Sequence, residues 1–158
     1  MSSSRIESLV AKLEKGSQKT LEILTKLNPD QWSQVLYTHP QPWTIRDLLA
    51  HFISSEERLL VLAQEIASGG EGIPAGFDFD QFNREELERL EGLSIEELFS
   101  RLEMARGATF RWVQGLEESQ LQQKGNHPVL GEVDLEVIIT SIYGHQLLHM
   151  RDVISKLG

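Results

Sequence analysis

Five histidines occur in the 158-residue chain, and three of them stand where they could share one task. His145 and His149 lie four apart in "YGHQLLHMRDV", and His51 closes the stretch "QPWTIRDLLAH". On an α-helix, residues i and i+4 stack on one face, so both imidazoles of the pair can point at a single ion. Ile138, Ile142, His145 and His149 continue one stripe, which places the pair on the apolar, inward side of its helix. Leu48, His51, Ser55 and Leu59 line up in the same way on another helix. Three neutral imidazoles favour zinc, nickel or ferrous iron over magnesium or calcium. Three protein ligands also leave coordination positions open, as catalytic rather than structural sites do. A metal held in this way lowers the pKa of bound water to about 7, or binds and activates an external thiolate. Spacing alone does not separate such a site from a general base, or from hydrogen-bonded core histidines.

An imidazole that binds a metal needs its outer nitrogen oriented by a partner. Ser55, Glu56 and Asp152 come within reach along the helices, although each also fits a solvated helix surface. Trp43 fits a staple that packs the entrance of the helix carrying His51. His39 and His127 each precede a proline and are expected in surface loops.

The elements that must position these residues are helical. Ile6, Leu9, Val10, Leu13, Leu21, Leu24 and Leu27 mark a first helix, capped by Ser4 with Glu7 and closed by Asn28-Pro29. Thr44, with Asp47 three residues on, caps a second helix that carries Leu48, Phe52, Leu59, Ala63 and Ile66. The glycine-rich "SGGEGIPAG" ends it. A short helix follows from an Asp80 cap to about Leu90, and a third long one from the Ser94/Glu97 box to about Leu116. "KGNHPVLG" reads as a loop, and a last helix runs from about Val133 to Leu157. No strand pattern is evident. Four amphipathic stripes bury best against one another, which predicts an all-α fold, an antiparallel four-helix bundle in a single domain over residues 1–158. The middle connection, about residues 69–93, is longer than an αα-hairpin needs and leaves room for a crossover or a lid. Within it Phe77, Phe79 and Phe82 fit either a pocket wall or a core plug.

Composition narrows the classes. No apolar run approaches the roughly 20 residues of a membrane span. The absence of cysteine removes disulfides and protein thiolate ligands, so any sulfur chemistry needs a sulfur from a cosubstrate. A formal charge of −9 without a basic stripe speaks against nucleic acid as a partner. With no secretory signal visible, a cytoplasmic protein acting on a small molecule is expected.

These stretches resemble the DinB-like (DinB/YfiT) superfamily of four-helix-bundle proteins. "WTIRDLLAH" resembles its helix-two signature, and "HQLLHMRDV" its last-helix H-x-x-x-H. "HPVLGEVDLEVII" is similar to a His-Pro-x-x-Gly-x-x-x-Leu entrance, and "FDFDQFN" to an Asp-x-x-Asn stretch. The resemblance implies that His51, His145 and His149 are divalent-metal ligands, with zinc or nickel as the metal, and that the chain forms a homodimer. It also implies a thiol S-transferase using bacillithiol or mycothiol, or a metal-dependent hydrolase, with a non-catalytic metal- or ligand-binding bundle as the alternative. Gln146 and Leu148 depart from the pattern, since an acidic residue and a further histidine are common there.

Overall fold

The computed structural model describes residues 4–158. The chain forms α1 (Ser4–Leu24), α2 (Pro29–Trp32), β1 (Val35–Tyr37), β2 (Trp43–Thr44), α3 (Ile45–Ala67), α4 (Phe79–Leu90) and α5 (Ile95–Gln114). A 3-10 turn (Glu118–Gln122), β3 (Lys124–His127), β4 (Gly131–Asp134) and α6 (Leu135–Leu157) complete it. The long helices α1, α3, α5 and α6 are the expected bundle, in which α3 and α1 each pack against both α5 and α6.

The long middle connection acts as a crossover. Arg46, at the start of α3, donates to the carbonyls of Leu90, Glu91 and Leu93 just before α5 begins, and farther along both helices Glu56 meets Thr109. Helices α3 and α5 therefore run parallel. His51, early in α3, instead meets His149 past the middle of α6, while Glu56, farther along α3, meets Tyr143 nearer the start of α6, so that pair is antiparallel. Arg5 pairs with Glu136 at the two N-terminal ends of α1 and α6, which makes those two parallel.

Local chemistry explains most boundaries. Thr44 Oγ1 accepts the Asp47 N–H at 3.1 Å while the Asp47 carboxylate accepts the Thr44 N–H at 2.9 Å, the reciprocal box read from the sequence. Ser94 and Glu97 make the same box at 3.1 and 3.2 Å. The side chain of Ser4 lies outside the described residues, so its expected cap does too. Three boundaries differ from expectation. Asn28-Pro29 does not close α1, which ends at Leu24. Instead Asn28 caps the one-turn α2, with proline at its first position. Asp78 rather than Asp80 caps α4, accepting the Gln81 N–H at 3.0 Å. "KGNHPVLG" is not a loop. It enters an antiparallel hairpin in which Gly125 pairs with Val133 and His127 with Gly131, so α6 begins only at Leu135. Gly72, at φ +100°, lies so close to this hairpin that a Cβ there would sit 2.4 Å from the Asn126 nitrogen. No helix of the described residues is long and apolar enough to cross a membrane.

The apolar core is divided in two. One cluster gathers Ile6, Leu9, Leu13, Leu62, Ile66, Val113, Ile138 and Ile142, and the other Leu24, Leu48, Phe52, Leu98, Leu102, Met150 and Val153. Along each long helix the residues between the clusters are polar and buried: Ser17 on α1, Glu56 on α3, Arg106 and Thr109 on α5, and Gln146 on α6. The fully buried Glu56 carboxylate accepts Thr109 and Tyr143 hydroxyls at 2.9 Å each, with Gln146 Nε2 at 3.4 Å and Arg106 Nε at 3.6 Å. Arg106 also donates to Gln146 and, at 3.4 Å, to the Ser17 carbonyl. One polar layer thus joins all four helices.

Burial raises the Glu56 pKa, against the pull of Arg106 and the three hydrogen-bond donors. A carboxyl that holds its proton more tightly when folded contributes stability at low pH, and that contribution is lost as pH rises through its folded pKa. Arg106→Ala removes the opposing cation and raises this pKa further. The variant should lose about 3–5 kcal/mol near neutral pH, and less at an acidic pH, as the carboxyl takes up its proton below its raised pKa. Urea unfolding at the two pH values measures both. An equal loss at both would show that Glu56 does not feel the missing charge.

Candidate metal centre

His51 lies in the second turn of α3, and His145 and His149 lie one turn apart at and just past the middle of α6. Because α3 and α6 are antiparallel, all three meet at the end of the bundle occupied by the Leu48–Phe52–Val153 cluster. His145 Nε2 is 3.1 Å from His51 Nε2 and 3.0 Å from His149 Nε2, and the three ligand atoms lie within 4.8 Å of one another. Nitrogens bound at 2.0–2.1 Å to a tetrahedral ion stand about 3.3 Å apart, and slightly closer in an octahedral arrangement. The geometry fits one ion. His51 is buried, whereas His145 and His149 are half-buried, so one side of the cluster faces outward.

The electrostatics agree with that fit. Burial lowers the pKa of His51 far below its ordinary value, helped by repulsion from His145 and His149. His145 is lowered to about 4, first by burial and then by His149 and His127. His149 is lowered by burial, with Asp152 pulling the other way. At neutral pH the imidazoles are therefore neutral and offer lone pairs. The Nε2 atoms stand at hydrogen-bond distance from one another, but a single shared proton serves only one pair, and a cation is the species that satisfies all three at once.

Around the cluster stands an aromatic shell. The Trp43 ring lies 4.8 Å from the His51 ring, Tyr37 lies 5.6 Å from His149, and Phe52 lies 6.0 Å from His149. Trp43 is buried at the α3 entrance as expected of a staple, and it also backs His51. The Tyr37 hydroxyl is 2.8 Å from His149 Nδ1 and donates to the Asp152 carboxylate. By contrast, Nδ1 of His51 and of His145 are buried without a hydrogen-bond partner among the described residues.

The orienting residues are distributed differently from the sequence expectation. The hydrogen-bonded link from Asp152 to His149 runs through Tyr37. Glu56 is neither a partner of the histidines nor solvated surface but the centre of the polar layer, and Ser55 donates to the Phe52 carbonyl at 3.3 Å. His39 is exposed as expected. His127 is half-buried rather than fully at the surface. The β3–β4 hairpin folds it onto α6, where Nε2 is 3.1 Å from Ser141 Oγ and Nδ1 accepts the Val129 and Leu130 N–H groups at 3.0 and 3.1 Å. Phe77 packs half-buried on the core, with Phe82 and the exposed Phe79 against it. Tyr37 carries no signal in the sequence, since it lies in a three-residue strand far along the chain from His149.

Comparison with known proteins places this geometry. No curated protein matches the chain by sequence. Among solved structures, YfiT from Bacillus subtilis, described as a probable metal-dependent hydrolase with an unusual four-helix bundle topology, superposes with a TM-score of 0.76 at 15% identity. That match covers 98% of this chain and 87% of YfiT. The mycothiol-dependent maleylpyruvate isomerase gives 0.77 at 15% identity over 94% of this chain, which spans 60% of the isomerase. The colibactin self-resistance protein ClbS, solved in complex with a dsDNA, gives 0.72 at 16% identity and covers 95% of each chain. The ClbS complex overturns the expectation that nucleic acid is excluded, because a protein of this same fold engages it. Net charge sums over the whole surface, while a duplex meets one face, so a total of −9 does not decide the matter. These likenesses establish the shared fold. The DinB superfamily model matches residues 12–153, a span that holds all three histidines and reaches from within α1 to within α6, and the chain belongs to that superfamily.

Proposed function

We propose that the chain is a divalent-metal-dependent enzyme acting on a small molecule, with His51, His145 and His149 as the metal ligands. The observation that carries this reading is the convergence of three neutral Nε2 atoms on one point with a side open to the outside. A bound zinc or nickel ion would supply Lewis acidity there, lowering the pKa of water or of a thiol.

The rest is done by the chain's own residues. Three uncharged ligands favour an anionic fourth group, because among the described residues no carboxylate joins the cluster: Asp152 is engaged by Tyr37 and Glu56 by the polar layer. Trp43, Tyr37 and Phe52 keep water from the flanks of the imidazoles. With no cysteine in the chain, a thiolate nucleophile must arrive with a cosubstrate. The mycothiol-dependent isomerase supports a low-molecular-weight thiol of the bacillithiol or mycothiol type, and YfiT supports hydrolysis. A cytoplasmic location and a homodimer accord with this reading. A non-catalytic metal- or ligand-binding bundle is the alternative.

Protein purified without a histidine tag should carry roughly one zinc or nickel ion per chain, lost in His51→Ala and in His149→Ala. Zinc at ~100 times its Kd should stabilise the wild type by about 2.7 kcal/mol and leave both variants unchanged. A wild type that takes up neither metal would remove the metal-dependent reading.

Turnover distinguishes the remaining possibilities. Loaded protein is expected to consume electrophiles only when bacillithiol or mycothiol is added, whereas thiol-independent turnover would assign hydrolysis. No turnover in either arm would leave the binding bundle.

A further inference from the structure

We propose that Tyr37 and Asp152 form a positioning relay that keeps the His149 proton on Nδ1 and turns its Nε2 lone pair toward the metal position. The proposal rests on the metal-site reading above, but the relay itself is a property of the metal-free chain.

It follows from counting protons. The Tyr37 hydroxyl lies 2.8 Å from His149 Nδ1 and also touches the Asp152 carboxylate. A phenol has one proton, and a carboxylate has none to give. The hydroxyl proton therefore goes to Asp152, leaving only the phenol oxygen to face the imidazole. His149 Nδ1 must then be the donor. A neutral imidazole with its proton on Nδ1 has a bare Nε2, and that atom is the one 3.0 Å from His145 Nε2.

Asp152 sets the direction. It follows His149 by three residues on α6, so it lies on the same helix face and draws the phenol across the imidazole edge. Without it, Tyr37 is free to rotate and donate to Nδ1. His149 would then carry its proton on Nε2, the wrong end for a ligand. The contact would survive and its polarity would reverse. This is the only outer nitrogen of the three that a described residue holds, since those of His51 and His145 lack partners. The relay also assigns a task to the β1–β2 hairpin, which lies outside the bundle. Its first strand orients His149 through Tyr37, and its second packs Trp43 on His51.

The test uses the full chain. Imidazole ¹⁵N–¹³C NMR of metal-free protein should show His149 with its proton on Nδ1, and Tyr37→Phe and Asp152→Ala should move it toward Nε2. Zinc affinity, read by competition with a chelator, should fall about tenfold or more in Tyr37→Phe and in Asp152→Ala. Asp152→Asn should fall less, because its amide oxygen still accepts the phenol proton. The double variant Tyr37→Phe/Asp152→Ala should lose less than the sum of the two single losses, since Asp152 acts on His149 through the phenol as well as by its charge. Unfolding of the metal-free variants in urea shows that each is folded. An Nε2-protonated His149 in the wild type, unchanged affinity in Tyr37→Phe, or additive losses in the double variant would each overturn the relay. Should the wild type bind no zinc, the metal reading fails on its own and the NMR tautomer alone decides the relay.

Discussion

A carboxylate in the middle of a helical bundle constrains everything around it. Glu56 is fully buried, and an ionised group there is tolerated only if donors surround it. Those donors come from α5 and α6, and Arg106 extends the network to the α1 backbone. Apolar side chains can slide past one another by a fraction of a turn at modest cost. Directed bonds to one carboxylate cannot. The polar layer therefore sets the register of α3 against α6, and with it the meeting of His51 with His145 and His149. Gln146, which bonds both Glu56 and Arg106, is the residue next to His145. An acidic side chain at that position would bring a second negative charge beside Glu56. The departure from the family pattern at position 146 thus suits this core.

The same burial that makes Glu56 demanding makes the histidines usable as ligands. Removing imidazole from water disfavours its cation, so lone pairs stay available without nearby acids to tune them. The cluster is consequently rich in donor nitrogen and poor in negative charge. That composition leaves the charge of a divalent ion to be balanced by whatever binds next, and an anionic substrate or thiolate suits that role. Orientation comes from outside the bundle, through a hairpin whose two short strands touch the two sides of the site.

Much of this was legible in the sequence, for reasons that are local. Ser94 with Glu97 and Thr44 with Asp47 are neighbours along the chain, so their boxes can be read by position. The inward placement of His145 and His149 follows from the period of a single helix. What was illegible depends on distant partners. The strands have only two to four residues, too few to show alternation, and "KGNH" has none of the branched apolar residues that announce a strand. His127 looked like a surface residue because the hairpin that folds it onto Ser141 was itself invisible. Glu56 looked solvated because its helix position gives no hint of an arginine fifty residues away.

By itself, then, the sequence determined four amphipathic helices, the caps of two of them, and which histidines face inward, since periodicity and capping act over a few residues. Tertiary structure alone decided that α3 and α5 run parallel, that Glu56 is shared by three helices, and that Tyr37 meets His149. Those outcomes depend on which distant surfaces come together when apolar area leaves water, and no window along the chain contains both partners.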